Sequence, residues 1–435
     1  MKYIRSILAI TLLITLSGCI EEVDLGLGRA GQLEPSLIVE ATLTNENKAH
    51  RVVLSRMDTV FLDTQIDSTY NPFLPNFEID RDFVNYETNA TVSVVDNNGV
   101  RYNFLEIEDG VYESEMAFAA QEGQTYKLEI NTVDGARFES QEMAYAGESE
   151  LTDIYAEKTV SGTGVEGLGI YIDNRPISGN TDNFRYTYDE TYKIIAPLWS
   201  AFEFRLSNYD PCAIPVQYTL EIRPREREER VCYRTDRSNS IIQAKSRLES
   251  SGLNRQMIRF LAKDNFAISH RYSIEVSQMV SSNTSFSFYE QLNAFSEQGN
   301  LFSQVQPGFI EGNIVAMDGD ERAVIGFFDV VSVNKRRLFF NYEDFYPGEP
   351  LPPYVFNCNE QSVPESHESY CSTNPSANPC PQSIIERVNL DLIDFVRANS
   401  EGIGSCPGPH IFTNNICGDC TWLGSNVVPE FWTEE

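Results

Sequence analysis

From Ser36 to Leu43 the chain reads SLIVEATL, with Leu37, Val39, Ala41 and Leu43 at alternate positions and a partly polar set between them. A period of two marks a half-buried strand, because successive side chains leave opposite faces. ATVSVVDNNGVRYNFLEI repeats the pattern around Asn98-Gly99, a hairpin turn signal between two extended runs. In GQTYKLEINTVDGARFESQEM, Tyr126, Leu128 and Ile130 face one way and Lys127 and Glu129 the other, before Asp134-Gly135 turns the chain. Short strands with turns at this spacing predict an all-β sandwich over residues 33–146.

Strand patterns continue over residues 150–345. GLGIYID, FRYTYDETYKI, VQYTLEI, RQMIRFLA, HRYSIEVSQM, ERAVIGFFDV and KRRLFF are rich in β-branched and aromatic residues. One helix interrupts them, since Phe288, Leu292 and Phe295 recur at helical spacing before Gly299-Asn300. From Tyr346 onward, residues 346–435 hold eleven of the twenty prolines, and IIERVNLDLIDFVRAN is the stretch there with a helical face (Ile385, Val388, Leu392, Phe395). So proline-rich a segment buries little core of its own, and cross-links must substitute. The expected architecture is therefore mainly β: a sandwich, then a larger β-rich domain, then a disulfide-stapled C-terminal cap packed on it.

The N-terminus changes the picture. Lys2 and Arg5 precede ten largely apolar residues, Ile7 to Leu16, which suits a secretory leader and is too short to span a bilayer. Leu16-Ser17-Gly18 runs directly into Cys19, and this L-S-G-C resembles the lipobox of bacterial lipoproteins, in which the cysteine is acylated and becomes the new terminus. Residues 1–18 then form the signal peptide and residues 19–32 a lipidated acidic tether. The 18 residues before Cys19 leave 417 of the 435, enough for two or three domains. Without Lys2 and Arg5, 31 basic residues face 64 acidic ones, a net charge of −33. Such a surface repels phosphate backbones and anionic headgroups, so no nucleic-acid partner is expected, and membrane contact is expected through the anchor alone.

Nine cysteines are odd in number, but with Cys19 lipidated eight remain: Cys212, Cys232, Cys358, Cys371, Cys380, Cys406, Cys417 and Cys420. An even set in an exported chain reads as disulfides. Cys212 and Cys232 flank VQYTLEI and the charged run after it, and they are candidates to close that loop. The other six leave fifteen connectivities open.

The order of segments resembles a family of Bacteroidota outer-membrane lipoproteins of unknown function, often encoded beside TonB-dependent receptors. The resemblance covers nearly the whole chain. It rests on SLIVEATLTN after the lipobox, then ATVSVVDNNG, GQTYKLEINTVDG, YDETYKI, HRYSIEVSQMV, GNLFSQVQPGFIEGNIVAMDGDERAVIGFFDVVSV and the ending CGDCTWLGSNVVPEFW. It implies an N-terminal immunoglobulin-like β-sandwich and an extracytoplasmic life beside a nutrient receptor, and it supplies no catalytic residues. Glu21, Glu22 and Asp24 after Cys19 resemble the export signals that carry lipoproteins of that phylum to the cell surface, so the implied location is the outer membrane facing the exterior. Attachment facing the periplasm is the alternative.

Motifs for chemistry are sparse. Gly162-Thr163-Gly164-Val165-Glu166-Gly167 fits G-x-G-x-x-G, but a dinucleotide site needs a helix next and a strand follows, so a hairpin turn is expected. Cys417-Gly418-Asp419-Cys420 is a C-x-x-C without the βαβ setting of a redox site, and a zinc set with Cys406 and His410 lacks a second paired motif. Structural disulfides are the preferred reading, with no metal and no cofactor. His367-Glu368 does not continue to H-E-x-x-H, and Gly402 to Cys406 misses G-x-S-x-G. Asp318 to Glu321 reads as a turn rather than a calcium loop, and Arg223 to Arg230 as a solvated edge of alternating sign. A long insert between the first strands carries Tyr70, Phe73, Phe77 and Phe83, the preferred contact surface for a partner or ligand.

These observations leave a non-catalytic accessory of a TonB-dependent nutrient transporter, capturing or gating a ligand, as the leading expectation. A structural or assembly subunit of an outer-membrane complex is the alternative, and a secreted hydrolase a more distant one.

Overall fold

The computed structural model describes residues 36–56, 85–213, 215–246, 253–297, 312–317, 324–366, 383–402 and 407–434. Strands account for 52% and helices for 10%, so the class is mainly β. The first strands are β1 (Leu37–Thr44), β2 (Arg51–Arg56), β3 (Asn85–Tyr86), β4 (Thr91–Asp96), β5 (Arg101–Glu108), β6 (Val111–Ser114), β7 (Tyr126–Asn131) and β8 (Arg137–Ser140). Next come β9 (Gly147–Val160), β10 (Glu166–Gly179), β11 (Asn183–Ile195), β12 (Phe202–Asp210), β13 (Gln217–Pro224), β14 (Val231–Arg237), β15 (Ile242–Lys245), β16 (Gln256–Ala262) and β17 (Arg271–Val280). The helix α1 (Asn283–Glu297), β18 (Ile314–Ala316), β19 (Val324–Asn341) and α2 (Tyr342–Phe345) precede the cap, which contains α3 (Ile384–Asn389), β20 (Ile393–Ala398), β21 (His410–Asn414) and α4 (Asn415–Gly418).

The alternation in the sequence is the alternation of burial. In β1, Leu37, Val39, Ala41 and Leu43 are all buried, and in β7 Tyr126, Leu128 and Ile130 are. Asn98-Gly99 makes its turn, with Gly99 at φ +81° and its N–H donating to Asp96 O at 3.0 Å. Strands β1 to β8 enclose a core that includes Leu54, Val94, Tyr112, Leu128 and Phe138. A second core, with Leu168, Ile172, Tyr186, Tyr272, Ile274 and Phe340, lies between the sheet β16-β10-β9 and the inner faces of β11, β17 and β19.

One strand joins the two cores. Val324–Val331 of β19 pairs in parallel with β1, and Ser332–Asn341 of the same strand pairs antiparallel with β17. The main sheet therefore runs β14-β11-β17-β19-β1-β2-β6-β5-β4-β7-β8-β18 without a break. Periodicity splits this segment into ERAVIGFFDV and KRRLFF, whereas the structure makes it one strand of 18 residues. Its first half is buried on both faces, which is why it reads as a continuous apolar run rather than an alternating one. Phe288 of α1, Ile314 of β18 and Val324 of β19 also belong to the first core, so these three elements return to the unit that the chain began with.

The cap holds its own small core of Ile384, Ile393 and Phe412, against which Phe204 and Leu220 of the β12–β13 hairpin pack. The single helix expected over IIERVNLDLIDFVRAN is α3 followed by strand β20. Ser383 and Glu386 form a capping box that starts α3, and Asp391 at φ +53° turns the chain before Ile393. Two disulfides tie the cap down: Cys232–Cys420, separated by 188 residues, and Cys358–Cys417, separated by 59. The expected Cys212–Cys232 pair is therefore not formed. Cys232 lies on β14 beside the C-terminal turn, while Cys212 is exposed at the tip between β12 and β13, outside any disulfide among the described residues. Cys371, Cys380 and Cys406 lie outside the described residues.

Candidate functional site

Where β19 passes from one core to the other, its Asp329 is fully buried. A lone carboxylate in so apolar a strand needs partners, and two are supplied. Arg185 of β11 places Nη2 3.2 Å from Oδ2, and Ser285 of α1 donates its hydroxyl to the same oxygen at 2.6 Å. The Arg185 guanidinium also covers the Tyr289 ring, 4.1 Å from its centroid, and burial pushes the Tyr289 phenol up. Helix α1 is fixed to this seam by its first turn. Ser282 accepts from the Ser285 N–H at 3.1 Å as an N-cap, and Asn183 donates to Asn283 Oδ1 at 2.7 Å. The Asn313 amide clamps the Phe328 backbone with two bonds of 2.8 Å. Gly312 permits that approach, since a Cβ there would stand 1.7 Å from Gly326 O.

Above the seam lies an open depression of 380 Å³ with Phe288 and Phe327 among its lining. Gln141, Ser287 and Gln291 line it with side chains that make no hydrogen bond to other described residues. No titratable group is among the described lining residues. In a chain of net charge −31, these described residues present amide and hydroxyl groups that suit an uncharged polar ligand.

A second polar cluster joins the cap to the body. Arg225, whose side chain is 5% exposed, forms ion pairs with Glu229 and with Asp394 of β20, the latter at 2.6 Å, and faces Asp419 at 3.9 Å. The run Arg223 to Arg230 is thus not a solvated edge throughout: Arg225 turns inward, and Arg227, 72% exposed, stays outside to meet Glu229 at 3.0 Å. Neither cluster follows from motif spacing. Asp329 had a signal, an acid inside GFFDVV, whereas Arg225 is hidden among neighbours of the same kind.

Of the residues singled out from the sequence, Cys19, Glu21, Glu22, Asp24, Tyr70, Phe73, Phe77 and Phe83 lie outside the described residues, as do His367 and Asp318 to Glu321. The G-x-G-x-x-G segment is the tip of the β9–β10 hairpin, closed by Ser161 N–H to Val165 O at 2.8 Å. Cys417 and Cys420 bond to different partners, Cys358 and Cys232, so the C-x-x-C has no free sulfur to bind zinc or cycle as a dithiol. His410 sits edge-on to Phe204 and Phe395, and burial holds its pKa below the ordinary value. No three or more His, Cys, Asp or Glu side chains are placed together so as to hold a metal ion among the described residues.

The family model described as "Domain of unknown function (DUF4249)" matches residues 20–337. The chain belongs to the DUF4249 family. The seam and the described lining of the depression fall within the DUF4249 match, while Asp394, Asp419 and the cap lie beyond its last residue. No curated protein matches the chain. Among solved structures, a DUF4785 family protein from Legionella pneumophila aligns with 56% of this chain and 51% of its own, at 11% identity and a TM-score of 0.18. The chain thus spans about half the length of that structure. No helix among the described residues is long and apolar enough to cross a membrane.

Proposed function

We propose that this DUF4249 chain is a cell-surface lipoprotein of the outer membrane that serves a TonB-dependent transporter as a non-catalytic accessory, helping to capture or gate a nutrient. One observation carries the reading. The DUF4249 match begins at residue 20, so the family segment starts directly after Cys19 of L-S-G-C, the residue that the lipobox would make the acylated terminus. Acylation of Cys19 would anchor the protein by its N-terminus. Glu21, Glu22 and Asp24 would then direct it to the exterior, and the aromatic insert of Tyr70, Phe73, Phe77 and Phe83 would be the surface offered to the receptor. The depression beside α1 supports a role in holding a ligand, because Gln141, Ser287 and Gln291 in its lining present amides and a hydroxyl that bond no other described residue.

The test is affinity purification of the full-length protein from membranes in a mild detergent, with the co-purifying proteins identified by mass spectrometry. A TonB-dependent receptor in stoichiometric amount is the expected result. Recovery of envelope assembly machinery in its place, with a general envelope defect on deletion, would overturn the transport reading in favour of an assembly role.

A further inference from the structure

The cluster at the base of the cap holds three carboxylates, Glu229, Asp394 and Asp419, against one enclosed guanidinium, Arg225. All four side chains are at most 16% exposed. Asp394 Oδ1 accepts from Arg225 Nη2, but Asp394 Oδ2 is buried and has no hydrogen-bond partner. Gly418 closes that side: a Cβ there would stand 2.8 Å from Oδ2, so the backbone of the C-x-x-C turn passes directly over the free oxygen. An ionised carboxylate is least tolerable where one of its oxygens has lost both water and donors. We propose that Asp394 is a proton-operated latch, which seats the cap on the β13–β14 connection when protonated and loosens that contact when ionised.

The surrounding charges all bear on this step. From the β13–β14 connection, Arg225 favours the anion, Glu229 competes for the same guanidinium, and Arg227 meets Glu229 only at the rim. From the cap, Asp391 precedes β20 and disfavours a second negative charge, and from the C-terminal turn Asp419 does the same. Tyr354, packed against that turn, stays neutral and donates to Ile416 O at 2.9 Å. Burial, reinforced by Asp419 and Asp391 and opposed by Arg225, pushes the Asp394 carboxyl up to about 6. Between its ordinary value of 3.8 and about 6, the seated cap therefore holds a proton that the unseated one has lost. Seating strengthens as pH falls through that window and is weakest above it. The disulfides Cys358–Cys417 and Cys232–Cys420 flank Asp419, so the cap remains attached in both states and only its seating changes.

Hydrogen exchange of the full-length protein, corrected for intrinsic rates, reads this directly. Amides of Ile393–Ala398 and Asn415–Gly418 should be up to about 100-fold less protected at pH 8 than at pH 4, the factor set by a shift of roughly two pH units. Asp394→Asn should hold the pH 4 level of protection at both pH values. Asp419→Asn should lower the midpoint of the wild-type transition, and it provides the test if the first variant does not fold. Equal wild-type protection at pH 4 and pH 8, or an unaltered transition in a folded Asp394→Asn or Asp419→Asn variant, would overturn the latch.

Discussion

Breaking the ion pair at the seam should cost more on one side than on the other. Asp329 is 0% exposed, whereas the Arg185 side chain retains 12%. Arg185→Ala would leave the carboxylate in a dry strand with only the Ser285 hydroxyl, and an orphaned buried charge of this kind costs about 3–5 kcal/mol. Asp329→Ala would leave a guanidinium that still stacks on Tyr289 and touches water, so about 2–3 kcal/mol is expected. The double variant should be destabilised by less than the sum, because neither remaining partner is then unpaired, with a coupling of about 1–3 kcal/mol. Urea unfolding followed by circular dichroism gives all four corners of the cycle, provided the m-values agree. Single variants within about 0.5 kcal/mol of wild type, or a larger loss for Asp329→Ala than for Arg185→Ala, would refute the asymmetry and with it the burial of Asp329 at the junction of the two cores.

Three further outcomes follow from the geometry. In the chain-entropy description, opening Cys232–Cys420 with its 188-residue separation should cost up to about 5 kcal/mol and opening Cys358–Cys417 with 59 up to about 4, so paired Cys→Ala variants should show the larger fall in urea midpoint for the longer loop. Gly312→Ala places a methyl group against Gly326 O and should lose more than about 3 kcal/mol, whereas Gly162→Ala at the β9–β10 tip, with nothing within 4 Å, should change stability by less than about 0.5 kcal/mol. His50 is buried with Nε2 2.9 Å from Phe118 O, and burial lowers its pKa below 6.5. The first core should thus lose stability as pH falls below 6.5, opposite in sign to the cap, and His50→Asn should flatten that loss in hydrogen exchange of β1 and β2.

The readable parts of the fold are those whose signal is local. Alternation in β1 and β7, the Asn98-Gly99 turn and the helical spacing of Phe288 and Leu292 each depend on residues a few positions apart. The parallel pairing of β1 with β19 does not, since Leu37 meets Val324 only after nearly 300 residues, and a strand buried on both faces carries no alternation to reveal its partner. The same reason hid the cross-links. Cysteine parity foretells pairs, but Cys232 chooses Cys420 because β14 and the C-terminal turn are neighbours in space. At the candidate sites, Arg185 sits in FRYTYDE as any solvent-facing strand residue would, and its inward turn is decided by Asp329, 144 residues away.

The proposed function depends first on acylation at Cys19, so the most direct measurement compares wild type with Cys19→Ala in the native envelope. Wild type should incorporate a labelled fatty acid and partition with the outer membrane into the detergent phase. Cys19→Ala should carry no label and appear in the aqueous phase with the circular dichroism and the Cys232–Cys420 and Cys358–Cys417 disulfides of the wild-type protein. Retention of Cys19→Ala in the outer membrane at the wild-type level would contradict the lipoprotein account.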